Sequence, residues 1–161
     1  MDDILKILAQ DSRTSVDDIA AMTSRDASDV RDAIAAYERD GTIVRYKAVL
    51  NMEQAGEDDG TVRAWISVSV TPQRGAGFDA IAERVYRFDE VRSCYLLSGD
   101  FDLLLLVEGR SLQEVASFVA EKLSTLDHVT RTATHFLLKA YKQDGDILRR
   151  PEKRERLAVS P

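Results

Sequence analysis

The chain lacks the residue patterns that most enzymes and disulfide-stabilised proteins require. Of its 161 residues, one is cysteine and two are histidine. The single cysteine, Cys94, excludes an internal disulfide and a cysteine-based zinc site, and its apolar surroundings favour packing over nucleophilic catalysis. His128 and His135 have no second ligand at metal-binding spacing. Because no Ser-His-Asp, paired-acid or glycine-loop pattern is present, the sequence predicts a protein that is not an enzyme and needs no metal or cofactor.

Excess positive charge is also missing. Twenty-two basic residues stand against 28 acidic ones, which gives a formal net charge of -6. Overall charge therefore gives no support for nucleic-acid binding, so any DNA site must be local. The start, Met1-Asp2-Asp3, lacks the basic segment of a signal peptide, and no apolar run is long enough to span a membrane. The sequence predicts a cytoplasmic protein with no membrane partner.

Apolar residues are plentiful, and one unbroken run of them stands out. They make up 44% of the chain, enough to build a core. Ser98-Gly99-Asp100-Phe101-Asp102 has the residues of a tight turn, and Leu103–Val107 follows it directly. A strand with one wet face alternates apolar and polar residues, whereas an unbroken run indicates cover on both faces. We therefore expect helices on one face of this strand and another subunit on the other.

The first fifty residues carry the pattern of three short helices. Ser15 and Asp18 form a capping box, Asp26 is the expected N-cap of the third helix, and Gly41 is its expected terminator. The segment 43–50 then has the residues of a β-strand. A helix-turn-helix of winged-helix-like form over residues 1–50 fits this order, with the third helix in the DNA major groove.

The same fifty residues also fit a three-helix cap that binds nothing. They contain ten acidic and seven basic residues, which leaves three net negative charges. Because each neutralised phosphate contributes about 0.9 to the salt slope of binding, so few cations per subunit predict that tight DNA binding needs two or more subunits.

The remainder of the chain predicts a second domain of β-α-β-β-α-β order. Residues 51–60 are polar and acidic and read as a linker, residues 61–143 form the domain, and residues 144–161 form a solvated tail. This order is the ferredoxin-like plan, an antiparallel sheet with both helices on one face, so the whole chain is of the α+β class. We expect strands at 62–70, 91–97, 102–107 and 129–141. In the second helix of this domain the residues expected to face inward are Leu112, Val115, Ala116, Val119 and Leu123.

Taken together, these residues resemble the Lrp/AsnC family of bacterial and archaeal regulators, over residues 4–142. The segments that carry the resemblance are Ile4-Leu5-Lys6-Ile7-Leu8, Tyr37-Glu38-Arg39-Asp40-Gly41-Thr42-Ile43 followed by Tyr46, Leu50-Asn51, and Ser98-Gly99-Asp100-Phe101-Asp102. The resemblance implies a helix-turn-helix joined to an amino-acid-responsive regulatory domain. It also implies dimers that assemble further, with small effectors bound between regulatory domains of neighbouring subunits.

The resemblance also assigns residues to two sites. For the effector it points to Ser98, Gly99, Asp100, Asp102, Thr132 and Thr134, where a carboxylate can hold an ammonium group and hydroxyls or amides a carboxylate. Asp100 equally fits a turn cap, and the threonines equally fit ordinary strand positions. The residues available for double-stranded DNA are Thr23, Arg25, Ser28, Arg31 and Arg39.

In one respect the third helix departs from the family pattern. Members usually carry several arginines there, whereas this chain has Ala33, Ala35 and Ala36. The sequence therefore predicts a DNA-binding transcriptional regulator that responds to an amino acid or related metabolite. The alternative is a metabolite- or partner-binding module of the same family with weak or lost DNA binding.

Overall fold

The computed structural model describes residues 1–51, 60–72 and 77–148. The chain divides into two compact units, Met1–Leu50 and Asn51–Pro161, and each has its own hydrophobic core. Most of the predicted linker and most of the predicted tail lie outside the described residues. Within the described residues, no helix combines the length and the apolar character needed to cross a membrane.

Three helices form the first unit: α1 (Asp3–Gln10), α2 (Val16–Thr23) and α3 (Ala27–Arg39). The predicted capping box is confirmed, because the Ser15 hydroxyl oxygen accepts from the Asp18 amide at 3.1 Å and donates to the Asp18 carboxylate at 2.6 Å. Gly41 ends α3 with a φ of +79°, a conformation that favours glycine. The four fully or nearly buried core residues are Ile4, Ile19, Ala20 and Val30.

One of two further expectations for this unit is confirmed and the other is wrong. Asp26 lies at the N-cap of α3, but its side chain makes no capping hydrogen bond. Residues 43–50 form no strand, because nothing among the described residues pairs with them, and Val44 is 86% exposed. The segment instead returns to α3, where the Ile43 amide donates to the Tyr37 carbonyl and the Tyr46 hydroxyl donates to the Glu38 carboxylate. The described chain therefore has no β-wing after α3.

A four-stranded antiparallel sheet is the centre of the second unit. Its strands are β1 (Val62–Val70), β2 (Val91–Leu96), β3 (Leu103–Gly109) and β4 (Val129–Phe136), in the spatial order β2-β3-β1-β4. Two helical segments connect them, α4 (Asp79–Tyr86) and α5 (Leu112–Ser117), and α5 continues as a π-helical turn, Phe118–Leu123. The predicted α+β architecture with an antiparallel sheet is confirmed.

Buried and partly exposed residues alternate along the strands, which shows which face of the sheet is covered. Alternate residues of β1, from Ala64 to Val70, are buried, and in β3 so are Leu103, Leu105 and Val107. Register places these side chains on the same face, since Ile66 pairs with Leu105 and Val68 with Leu103. The buried helix residues Ile81, Val85, Val115, Phe118 and Leu123 complete this core. We call this covered side the helix face and the other side the open face.

The predicted inward face of the second helix is partly wrong. Leu112 and Ala116 are exposed, whereas Phe118 is buried and was not predicted. Leu112 and Ala116 both precede the π-helical turn, in which each turn holds more residues than in an α-helix. The turn at Phe118–Leu123 brings Leu123 into the core and leaves Lys122 outside, where its ammonium pairs with the Glu90 carboxylate at 2.5 Å.

The last strand of the sheet is shorter than predicted. β4 ends at Phe136 instead of continuing to residue 141. A small hairpin of β5 (Lys142–Gln143) and β6 (Asp146–Ile147) then crosses the predicted domain boundary at 143. The Asn51 side-chain amide donates to the Leu148 carbonyl and attaches the end of this hairpin to the start of the unit.

Candidate functional site

The outer side of α3 is the candidate DNA surface. Val30 lies in the core, so the residues on the opposite side of the helix face solvent. Ser28, Arg31 and Arg39 are all exposed, and their spacing of three and eight residues places them on one stripe. Within the described ranges, neither arginine forms a salt bridge. Both guanidinium groups are therefore available to an anionic partner.

Negative charge lies beside this stripe. Asp29 and Asp32 are exposed on the same helix, and Ala35 occupies the middle of the stripe. Two arginines with two neighbouring carboxylates form a surface of mixed charge rather than a basic one. Such a surface attracts phosphate only at the arginine positions themselves.

Arg25, in the turn between α2 and α3, is engaged inside the unit. Its Nη1 donates to Asp2 Oδ2 at 3.0 Å, and the Tyr37 hydroxyl donates to the same oxygen at 2.9 Å. The other Asp2 oxygen accepts from the Ile4 amide at 3.0 Å and caps α1. The Ile4 amide, the Arg25 guanidinium and the Tyr37 hydroxyl together lower the pKa of Asp2 to about 2. The hydrogen bond to Asp2 raises the pKa of both Arg25 and Tyr37.

Thr23 is also used locally, because its hydroxyl donates to the Ile19 carbonyl at 2.7 Å. Ser24, which follows it, has a left-handed backbone with φ of +53°. Of the five predicted DNA residues, Ser28, Arg31 and Arg39 thus lie on one exposed stripe of α3. Thr23 and Arg25 instead make hydrogen bonds within the unit, next to the turn between α2 and α3.

The candidate effector site begins with the turn between β2 and β3. Ser98, Gly99 and Asp100 are all exposed, and Gly99 has a φ of +151°. The side chains of Ser98 and Asp100 form no hydrogen bond within the described parts of the chain. The turn therefore offers a hydroxyl, a carboxylate and backbone amides to solvent at the end of the sheet.

Asp102 has a different environment from Asp100. Its backbone amide donates to the Val68 carbonyl at 3.0 Å, and its own carbonyl accepts from Leu97 at 2.8 Å. Its carboxylate Oδ2 accepts from the Val70 amide at 2.8 Å, two residues beyond the last β1–β3 pair, Val68 with Leu103. This carboxylate thus provides an acceptor for a backbone amide that lies past the end of the β1–β3 pairing. Asp102 shapes the turn instead of presenting a free anion.

Thr132 and Thr134 lie on the helix face of the edge strand β4. Register places Thr132 opposite Val68 and Thr134 opposite Ile66, and both of those residues are buried under the helices. Val68 also pairs with Leu103, so Thr132 lies two strand spacings, roughly 10 Å, from the start of β3. Thr132 is therefore at the same end of the sheet as the turn, and Thr134 is one pleat further away.

A sequence profile described as the Lrp/AsnC ligand binding domain matches residues 63–147, just over half of the chain. The chain belongs to the Lrp/AsnC family. An HTH-type transcriptional regulator of Bacillus subtilis, YugG, whose own function is uncharacterised, is 44% identical over 159 residues, 99% of this chain and 95% of that protein. LrpA of Pyrococcus horikoshii is 28% identical over 86% of this chain and 94% of its own length. These relatives are named as transcriptional regulators, which confirms the expectation of a regulator rather than an enzyme.

Solved structures share the fold of this Lrp/AsnC chain. The leucine response regulatory protein of Mycobacterium tuberculosis has a TM-score of 0.70 at 24% identity, covering 92% of this chain and 100% of that one. A transcriptional regulator from Neisseria meningitidis, solved as a complex with L-Met, has a TM-score of 0.66 at 24% identity, covering 89% and 93%. At such identities the likeness shows the architecture alone.

One cluster in this Lrp/AsnC chain was missed by sequence reasoning. On the open face, the Glu108 carboxylate accepts from Arg63 Nε and from Arg92 Nε, each at 2.7 Å. Burial raises the pKa of Glu108, but the hydrogen bonds from Arg63 and Arg92 outweigh it and the pKa is lowered. The alternation of residues along β1 could have indicated this cluster, because it places Arg63 on the same face as Trp65. Trp65 pairs with Leu106, two residues from Glu108, so Arg63 lies opposite Glu108.

The rest of the open face is largely apolar. Trp65 pairs with Leu106, Ser67 with Leu104, and Leu104 also with Tyr95. Trp65, Leu104 and Leu106 are half-buried and Tyr95 is exposed, although no helix of the described chain packs on this side. The ion cluster thus borders a continuous apolar area in the middle of the sheet.

Proposed function

We propose that this chain regulates transcription by binding double-stranded DNA as a homo-oligomer whose assembly responds to an amino acid or a related small metabolite. The observation that supports this best is the match over 99% of the chain to an HTH-type regulator, combined with two separate units that have exposed polar groups on α3 and on the β2–β3 turn. One unit contacts DNA and the other senses the metabolite.

DNA contact is assigned to the stripe on α3. Arg31 and Arg39 contact phosphates, and Ser28, in the first turn of the helix, donates to a phosphate or a base edge. Thr23 and Arg25 support the turn that holds α3. Because two free arginines per subunit neutralise few phosphates, binding at physiological salt requires two copies of the unit on one duplex.

Effector contact is assigned to the β2–β3 turn. Asp100 holds the α-ammonium group, while the Ser98 hydroxyl and the backbone amides around Gly99 hold the α-carboxylate. The complex of a Neisseria meningitidis relative with L-Met supports an amino acid as the ligand class. Asp102 fixes the turn from inside. Thr132 contributes at the margin of the site, with Thr134 further along the same strand.

A second copy of the chain covers the open face. Apolar burial contributes roughly 25 cal/mol per Å², so a sheet face that carries Trp65, Leu104 and Leu106 gains stability when a like face packs on it. An effector that binds only one assembly state at 100 times its dissociation constant shifts the equilibrium by about 2.7 kcal/mol. Such a shift changes the occupancy of DNA by the paired α3 helices.

Two measurements test this function. Selection from random duplexes at low salt is expected to enrich a palindromic sequence, and Arg31→Gln is expected to lower the salt slope by about 0.9 per subunit. A thermal-shift screen of the standard amino acids, read together with light scattering, is expected to find one ligand that raises the melting temperature and changes the mass. Failure of all ligands and recovery of no palindrome refutes the proposal.

The charges of α3 favour a second candidate. Asp29 and Asp32 lie beside the stripe, and alanine occupies its centre, which fits a metabolite- or partner-binding module with weak or lost DNA binding. In that case an amino acid still raises the melting temperature, but selection enriches no palindrome and DNA binding disappears at moderate salt.

A further inference from the structure

Three segments of the first unit meet at one carboxylate. Asp2 caps α1 through the Ile4 amide, accepts from Arg25 in the turn before α3, and accepts from Tyr37 within α3. Arg25 lies 23 residues from Asp2 in sequence and Tyr37 lies 35 residues away. The Asp2 side chain thus joins α1, the turn between α2 and α3, and α3 by hydrogen bonds.

The contacts differ from ordinary surface pairs. The Asp2 side chain is 22% exposed, and both Arg25 and Tyr37 converge on its Oδ2 atom. A single acceptor that binds a guanidinium and a phenol fixes the direction of both groups, because each must point at the same oxygen. Among the described residues, the neighbouring carboxylate of Asp3 forms a salt bridge only with Lys6 on its own helix, and both of those side chains are more than half exposed.

From this geometry we infer that Asp2 is a positioning residue for DNA recognition, and that Arg25 acts through Asp2 and not as a phosphate contact. This inference rests on the proposed DNA-binding function. The carboxylate orients the α2–α3 turn and the start of α3 relative to α1, so that Ser28 and Arg31 meet the duplex together. The Arg25 guanidinium is paired with the Asp2 carboxylate, so Arg31 and Arg39 are the cations that neutralise phosphate.

A positioning carboxylate and simple electrostatics predict opposite effects of a substitution at Asp2. Asp2→Asn removes one negative charge from a chain of formal charge -6, which by charge alone strengthens DNA binding. Asparagine also keeps the N-cap, since Asn and Asp cap helices about equally well. If the carboxylate positions the turn, however, Asp2→Asn weakens binding. Asp3→Asn makes the same charge change one residue away and serves as the matched control.

Fluorescence anisotropy with a labelled duplex from the selection tests this in the full-length chain, at several salt concentrations. We expect Asp2→Asn and Arg25→Gln each to weaken binding about threefold to fivefold, the range typical of partly exposed ion pairs, with the wild-type salt slope retained. Asp3→Asn is expected to bind as tightly as wild type or slightly tighter. Arg31→Gln is expected to lose about 0.9 of slope per subunit.

Other results overturn the inference. If Arg25→Gln lowers the salt slope as Arg31→Gln does, Arg25 contacts phosphate directly. If Asp2→Asn binds as Asp3→Asn does, the carboxylate positions nothing that DNA reads. Tyr37→Phe, which removes only the third hydrogen bond, is expected to weaken binding in the same direction without any change of charge. If the wild-type chain shows no salt-dependent binding to the duplex, the proposed DNA function fails as well, and that outcome is distinct from equal binding by the two asparagine variants.

Discussion

Removal of the Asp102 carboxylate is expected to destabilise the second unit, although this side chain lies in a turn. Asp102→Ala leaves the Val70 amide without its acceptor, and Val70 is a buried residue of the core. The two backbone hydrogen bonds of residue 102, to Val68 and from Leu97, do not depend on the side chain. The substitution therefore isolates one carboxylate–amide hydrogen bond just past the end of the β1–β3 pairing.

The expected cost follows from the fate of the amide. A buried donor left unpaired costs about 1–3 kcal/mol, whereas Asp102→Asn keeps a neutral acceptor in place and is expected to cost about 1 kcal/mol. For a chain of this size, a loss of 2 kcal/mol corresponds to a fall in melting temperature of roughly 4–8 °C. Urea denaturation followed by circular dichroism measures the same loss as a lower midpoint with an unchanged slope.

Asp100→Ala is the matched control, because Asp100 is exposed and its carboxylate has no hydrogen-bond partner within the described chain. Its stability is expected to stay within about 0.5 kcal/mol of wild type. The proposed effector role predicts the opposite ranking in calorimetry, with amino-acid affinity lost in Asp100→Ala while the oligomer persists. If Asp102→Ala melts like wild type and Asp100→Ala does not, the roles given to the two aspartates are reversed and the reasoning fails.

Three further predictions concern the turn of the first unit, the open face and pH. Ser24→Gly is expected to raise the free energy of unfolding by about 0.5–1 kcal/mol in urea denaturation, since Ser24 has a left-handed backbone that suits glycine; an unchanged midpoint contradicts this. Leu106→Glu is expected to reduce the mass measured by light scattering to that of one chain, whereas Leu138→Glu, at a side chain already 96% exposed, leaves the mass unchanged. Because the pKa of Asp2 is about 2 when folded and 3.8 in its reference state, its stabilising contribution is present above about pH 4 and is lost as the pH falls through about 2. Urea midpoints of wild type and Asp2→Asn are therefore expected to converge over that interval, and a constant difference argues against the Asp2 contacts.

The local sequence pattern predicted a strand or a helix start correctly where residues within the segment identify it. Val62–Val70 alternates apolar and polar residues, and the observed strand has these bounds with alternate residues buried. Ser15 and Asp18 were recognised because a capping box depends on residues three apart, with no contribution from distant chain. In both cases the pattern that identifies the element lies within the segment itself.

Prediction failed where the structure of a segment depends on a distant partner, or where buried and exposed residues look alike in the sequence. Residues 43–50 have the composition of a strand, but a strand needs a second strand to bond, and the described chain supplies none. In the second helix of this unit, Leu112 and Ala116 were expected to face inward but are exposed, and both precede the π-helical turn at Phe118–Leu123. Nothing in a single sequence distinguishes Leu112, which is exposed, from Phe118, which is buried.

The residues of the candidate sites could be predicted from the sequence, but the role of each residue could not. Asp100 and Asp102 are identical in sequence terms and two residues apart, yet only the second meets a buried amide. Arg25 and Arg31 are both arginines near the start of α3, yet within the described chain only the first has a carboxylate partner, Asp2 at the N-cap of α1. Partnerships across 20 or more residues separate these roles, and spacing along the chain does not encode them.

The unbroken apolar run at Leu103–Val107 connects the two activities proposed for the second unit. Its odd-numbered residues are fully buried on the helix face, while Leu104 and Leu106 lie half-buried beside Trp65 on the open face. The run begins directly after the turn that contains Asp100, and Asp102 bonds that turn to β1 at both Val68 and Val70. A ligand at the turn and a second copy on the open face would therefore act on the same two strands. Because Val62–Val68 of β1 pair with the whole of β3, a small change at the turn reaches Leu104 within two residues of the same strand, so the proposed coupling between amino-acid binding and assembly can act through these two strands.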